Sequence, residues 1–406
     1  MRKSIFVFVV LLCLGCSERK VQDSPKFTDE QIAQLGLSSV KPLRIFDGDC
    51  IKLDFNGFLS EKEISAQELV DSVEFISLET TNESLIAEIN KLVCVENYFF
   101  IFDSDIGKNV FIFLSDGRFV KRIPTGQGPE EIYNPGDIAV DKENGHLIVY
   151  NRKGLSFYDY QGNFVKRELL PFNFKNFRVL ANGYLFVTIP NQNGHLADLS
   201  AMQVFITDKN FRIISAGFPF HYSNTLNYGI TDYTSSLDKN VSFAFKFSTK
   251  IFQYIDTLAV EEKYQLDFSK KEIPSKYMEM STKEMLDALR SNNYYYYMGD
   301  YVENRTHEYF AIYNDYNKKA YQTFVFRDKL SGKLIGGNKI TLDTVIPLFS
   351  SPLAAYEDKF IGAISSQVVL YYISETIKEE KNNSLFTQIN DDSNPIIVKY
   401  KLKRVN

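Results

Sequence analysis

A chain of 406 residues with 51 acidic and 46 basic side chains, at a formal charge of -5, carries no basic stripe of the kind that holds nucleic acid. Hydrophobic residues make up 44% of it, enough to fill one large repeat fold or two ordinary domains. The aromatic load of 34 Phe and 25 Tyr with no Trp favours pleated, half-buried strands over an all-helical chain.

The first elements are not part of the fold. Arg2 and Lys3 precede an apolar run from Ile5 to Leu14, too short for a mature membrane span and suited to the core of a signal peptide. The run ends in Leu14-Gly15-Cys16 and turns polar at Ser17-Glu18-Arg19-Lys20, a lipobox-like boundary that predicts lipidation of Cys16. Cys13 stands where such boxes usually carry Leu, and a plain cleaved signal with an incidental Cys is the other reading. Residues 1–16 are thus read as signal peptide, 17–48 as tether and lead-in with Pro25 and Pro42, and 49–406 as the folded body. Only Cys50 and Cys94 remain in that body. A disulfide between them is chemically permitted outside the cytoplasm, although Cys94 sits in the apolar stretch Leu92 to Val95, which favours a buried thiol.

From Val73 the chain reads as short strands punctuated by turns, beginning with the alternating Val73 to Leu78 and continuing through Tyr98–Phe102, Asn109–Phe113 and Phe119–Ile123. The segment Val110 to Arg122 then recurs as Leu155 to Arg167, with Gly117 matching Gly162 and Phe-Val-Lys-Arg following at the same offset. Weaker copies run from Val204 to Ile213 and from Phe324 to Leu334. Each copy is strand, polar turn with Gly or Asn at positive φ, and strand, and the first spacing fits the roughly 40–50 residues of a four-stranded propeller blade. Between these outer hairpins lie inner pairs such as Ile138–Val140 with Leu147–Tyr150. The expected fold is all-β: a six-bladed β-propeller of four-stranded antiparallel blades. Val73–Leu78 supplies the outer strand that the last blade lacks beside Ile396–Tyr400, so that both chain ends close the ring. Ser281-Thr282-Lys283-Glu284 is a capping box, and it predicts one short inserted helix over Thr282 to Arg290.

These residues resemble the six-bladed β-propeller lipoproteins abundant in Bacteroidetes. The resemblance rests on Asp71 to Thr80, Ser84-Leu85-Ile86, the hairpin ending at Lys121-Arg122, and Gly126-Gln127-Gly128-Pro129-Glu130-Glu131. It covers roughly Asp71 to Arg167 well and the remainder by strand rhythm. It implies an exported, six-bladed protein; the expected location is the cell envelope of a Gram-negative bacterium, as an outer-membrane lipoprotein, periplasmic or surface-facing. It lends no settled activity and no catalytic residues.

Local chemistry is sparse. Gly126 to Glu131 lacks the Lys-Ser/Thr and the helix of a phosphate loop and reads as a blade-to-blade crossover. Asp103-Ser104-Asp105 lacks the other positions of a calcium loop. The four His residues have no metal-binding spacing, and no Ser nucleophile elbow occurs. No catalytic residue, metal ligand or cofactor is therefore assigned.

The informative pattern is where the long excursions fall. Pro190–Met202 and Ser374–Asn394 join second to third strands, while Ala216–Asp232 and Asp267–Tyr297 join one blade to the next, so all four map to one face of a propeller. Aromatic and amide groups there, Phe218 and Phe220 among them, suit ligand recognition. Gln127, Glu130, Tyr133, Asn151, Arg152, His221, Tyr222, Tyr228 and Tyr295 are the candidate ligand-binding residues. The expected function is a lipid-anchored binding or scaffolding module, attached to the membrane through Cys16, with a glycan, peptide or protein ligand. The alternative is a propeller hydrolase or lactonase with a divalent cation such as Ca in its central channel.

Overall fold

The computed structural model describes residues 27–151, 154–220, 235–237, 240–318, 321–342, 346, 348–376 and 388–405. They build six antiparallel sheets, each traced a, b, c, d from the axis outward. Blade 1 is Lys91–Val95, Tyr98–Asp103, Asn109–Leu114 and Phe119–Arg122, and blade 2 is Asp137–Asp141, His146–Asn151, Gly154–Asp159 and Phe164–Glu168. Blade 3 is Phe174–Leu180, Gly183–Thr188, Met202–Asp208 and Ile213–Pro219. Blade 4 is Ser235–Leu237, Asn240–Ala244, Lys250–Asp256 and Ala259–Asp267. Blade 5 is Tyr296–Glu303, His307–Asn314, Tyr321–Asp328 and Leu334–Gly337. Blade 6 takes Ala354–Tyr356, Lys359–Ile364 and Ile396–Leu402 from the end of the chain and Val70–Ser77 from near its start.

The six-bladed reading is therefore correct, and so is its closure. Val70–Ser77 pairs antiparallel with Ile396–Leu402, Ile397 facing Ile76 and Tyr400 facing Val73. Six apolar clusters fill the six gaps between neighbouring blades; the one across the seam joins Ile76, Leu78 and Ile397 of blade 6 to Leu92, Phe99, Phe111 and Phe113 of blade 1.

The repeated hairpins owe their shape to turn chemistry. Asp159, Asp208 and Asp328 end their c strands, and each carboxylate accepts from two backbone N–H groups of the turn that follows, as with Gln161 and Asn163 on Asp159. Gly117, Gly162 and Gly332 then adopt positive φ. In the third copy the left-handed residue is not Asn210 but Phe211, at φ 63°, where its ring stacks on Tyr184 at 4.8 Å and offsets the backbone cost. The two matched glycines should respond differently to alanine. A Cβ at Gly117 would lie 2.1 Å from the Ser77 carbonyl oxygen on the closing strand, whereas one at Gly162 meets only side chains, first the Lys121 Cδ at 2.8 Å. Gly162→Ala should cost about 1–2 kcal/mol and Gly117→Ala at least about 3 kcal/mol, measured by urea denaturation.

Asp328 also anchors the chain's end, accepting from Val405 N and from Arg404 Nη1 at 3.2 Å. Burial disfavours its charge, but the N–H donors of Ser331, Leu330 and Val405 and the Arg404 guanidinium outweigh it and hold the carboxyl down at about 2. Because the folded value lies below the unfolded one, this contribution is complete above about pH 4 and is lost as pH falls toward 2. Asp328→Asn should remove about 2 kcal/mol near neutrality and flatten the acid limb of a stability profile between about pH 4 and 2.

The segment read as lead-in does structural work from Thr28 onward. Thr28 and Gln31 form a reciprocal cap on the helix Asp29–Ala33. Lys41–Pro42 then pairs parallel with strand d of blade 3, Arg44–Phe46 and Ile51–Asp54 with strand d of blade 4, and Glu63–Ser65 with Lys339–Thr341 beyond blade 5. This belt covers outer sheet edges that would otherwise present unpaired backbone. The inserted helix appears as Thr282–Ser291 with its capping box, and a further helix, Ser366–Thr376, opens the excursion of blade 6. Cys50 and Cys94 are free thiols, the first donating to Glu262 beside blade 4 and the second buried in strand a of blade 1, where burial pushes its pKa up to about 12.

Candidate functional site

Strand order fixes the faces. The strand ends at Thr188 and Met202, Pro219 and Ser235, Asp267 and Tyr296, and Ile364 and Ile396 bound b–c loops or blade-to-blade connections, so all four excursions leave and rejoin the sheets at one face, as their sequence positions predict.

The axial channel offers little room. Val93, Val140, Val179, Val241, Glu303 and Ala355 line it, one from each blade, around a cavity of about 50 Å³. Its carboxylate is engaged: Glu303 Oε2 lies 3.1 Å from Lys263 Nζ and 2.8 Å from Lys329 Nζ. Strand a of blade 2 opens with Asp137, 1% exposed, bound to Lys91 Nζ of blade 1 at 2.6 Å and close to Arg178 Nη1 of blade 3 at 3.5 Å. Among the described residues no group of three or more His, Cys, Asp or Glu could hold a metal ion.

A larger space lies between blades 3 and 4 on the insertion-bearing face, a groove of about 400 Å³. Phe218 and Phe220 leave strand d of blade 3, Phe245 and Phe247 border the b–c turn of blade 4, and Phe252 lies on its strand c. Pro190 comes from the blade 3 excursion and Gln203 from the start of its strand c, Glu272, Ile273, Ser275 and Met278 from the blade 4 to 5 excursion, and Ile45 from the belt. Phe245 and Phe252 are buried and form the floor, with Phe218 packed edge-on to Phe252 at 4.9 Å; Phe218, Phe220 and Phe247 stay half-exposed. Two of these rings sit on left-handed backbone, Phe218 at φ 59° and Phe247 at φ 62°. Bulky residues there cost of order 1–3 kcal/mol each, and such strain gathers where rings must be aimed.

Among the described residues, the candidates named from sequence do not converge. Gln127, Glu130 and Tyr133 are exposed on the blade 1 to 2 connection. Asn151 is buried and donates to Ser156 Oγ at 2.8 Å. Ser156 in turn accepts from Arg167, whose guanidinium holds the Glu131 carbonyl, while Tyr158 OH donates to the Glu130 carbonyl. That network clamps the Gly126–Glu131 crossover, and the Glu131 carboxylate occupies the space beside its glycines, accepting from Gly128 N at 2.7 Å. Tyr295 lies on the blade 4 to 5 connection, half a ring away, is 7% exposed and packs in the interblade core. Arg152, His221, Tyr222, Tyr228 and Cys16 lie outside the described residues. Sequence reasoning singled out Phe218 and Phe220 but missed Phe245, Phe247 and Lys246; the run Phe243-Ala244-Phe245-Lys246-Phe247, alternating past the end of its strand, was the available signal.

No curated protein matches the chain at a significant level. Among solved structures it is similar to a candidate exported protein of Bacteroides fragilis, at 17% identity and a TM-score of 0.69, covering 89% of this chain and 100% of that one. A Bacteroides vulgatus member of the family DUF4221 matches at 11% identity and a TM-score of 0.48, over 83% and 99% of the two chains. The first likeness is one of fold. No helix among the described residues is long and apolar enough to cross a membrane. With residues 50–401 matched by the model of a domain of unknown function, DUF4934, the chain belongs to that family.

Proposed function

We propose that this protein is an exported, lipid-anchored binding module of the bacterial envelope that seats its ligand in the groove between blades 3 and 4. The observation that carries the reading is the contrast in space: about 50 Å³ along the axis against about 400 Å³ of aromatic-walled groove on the face where the excursions gather. Support for export comes from the basic start, apolar run and Cys16 boundary, and from the similarity to a candidate exported Bacteroides protein. Lipid on Cys16 would hold it to the outer membrane. The rival reading, a metal-dependent hydrolase or lactonase, would draw on convergent carboxylates in the channel, and the described lining supplies one, Glu303, already held by two lysines.

The test is capture on glycan and peptide arrays by residues 17–406, a chain that keeps every described element. Ser275→Trp sets a large ring on the exposed rim of the groove without touching a buried contact. Capture should fall at least tenfold in this variant and be unchanged in Tyr133→Ala. Capture lost with Tyr133→Ala and indifferent to Ser275→Trp would refute the groove.

A further inference from the structure

From the hydrogen bonds in the groove, and resting on the reading of it as the ligand seat, we infer that its ligand is a short apolar peptide with free, oppositely charged ends. Several polar side chains of the lining are engaged within the protein. Gln203 Nε2 donates to the Pro219 carbonyl at 3.1 Å, Ser248 Oγ accepts from Lys250 N at 3.1 Å, and Thr249 Oγ1 accepts from Gln265 Nε2 at 2.7 Å. Lys250 is paired with the buried Glu262.

Two charges are left over. Lys246 and Glu272 both line the groove, and neither makes an ion pair or side-chain hydrogen bond with any described residue. The remainder of the surface is largely phenylalanine, with Ile273 and Met278.

This inventory discriminates among ligand chemistries. A glycan would bring many hydroxyls onto a surface that is largely phenylalanine, and each unmatched one costs desolvation. A fatty acid would satisfy the phenylalanines and Lys246 but would bring no cation for Glu272 at the exposed rim. An apolar peptide answers all three features: side chains on the rings, its carboxylate to Lys246, its ammonium to Glu272.

Calorimetric titration of the peptide Phe-Leu-Phe, its N-acetyl form, its C-terminal amide and dodecanoate tests this. Each capped form should bind about tenfold more weakly than the free peptide. The amide penalty should vanish in Lys246→Gln and the acetyl penalty in Glu272→Gln, two surface changes that leave the core intact. Capping without effect, or dodecanoate binding that depends on Lys246 alone, overturns the peptide assignment while the groove stands. Absence of peptide binding, where Ser275→Trp still abolishes capture of another array ligand, overturns it likewise; absence together with capture indifferent to Ser275→Trp removes both readings.

Discussion

Asp137→Ala is expected to lower the unfolding free energy by about 3–5 kcal/mol, the cost of removing one partner from a buried charge cluster. Asp137 ties three blades near the axis. Its Oδ1 holds Lys91 Nζ at 2.6 Å, and its Oδ2 accepts Phe177 N at 2.9 Å and lies 3.5 Å from Arg178 Nη1. Lys91 and Arg178 are almost wholly buried, so the truncation leaves two cations where water cannot screen them. Asp137→Asn keeps the shape and loses only the charge, and it should cost less than Asp137→Ala. Urea denaturation with an unchanged m-value would show that both variants lose stability from a fold that still unfolds as one unit. A loss below about 1 kcal/mol for Asp137→Ala would mean that water reaches this cluster.

Tyr400→Ala should cost a similar amount, about 3–5 kcal/mol, through a cavity and an orphaned acceptor together. The ring is 1% exposed, packs against Phe349 at 5.0 Å and Phe360 at 6.0 Å, and donates its hydroxyl to the Ser350 carbonyl at 3.0 Å. Its strand is the partner of the closing strand, Tyr400 facing Val73. Hydrogen exchange in Val70–Ser77 should therefore accelerate more than exchange in blade 3. Tyr400→Phe keeps the packing and removes only the hydroxyl, so it isolates the hydrogen bond at about 1 kcal/mol.

Much of this architecture is legible in the chain because blade hairpins are local objects. Gly117 and Gly162 stand at equal offsets from Phe-Val-Lys-Arg, and turn chemistry of that kind needs no distant partner. The closing strand is legible for another reason: Val73 to Leu78 alternates, and the last blade is one strand short. The belt is not legible. Its strands are two to four residues long, such as Lys41–Pro42 and Arg44–Phe46, and show no alternation because they lie on sheet edges with one flank in water. Phe211 is misread for a related reason, since a left-handed phenylalanine is held by tertiary stacking on Tyr184, which local preference does not contain.

The site divides the same way. The face that bears the excursions follows from strand order alone. The groove on that face joins Ile45, Pro190, Phe218, Phe247 and Met278, residues far apart in sequence that meet only once blades 3 and 4 are side by side. Glycine and proline mark ligand loops and tight crossovers alike; Gly126 to Glu131, read as a crossover from the missing Lys-Ser/Thr and helix, has its own Glu131 in the space beside its glycines.

Hydrogen exchange of residues 17–406, with and without a saturating array ligand, reaches the central question most directly. The account predicts protection in the segments 189–203, 217–220, 245–252 and 272–278, with the axial strands and residues 126–133 unchanged. Protection at 126–133 or along strands a, with those four segments unmoved, would contradict it.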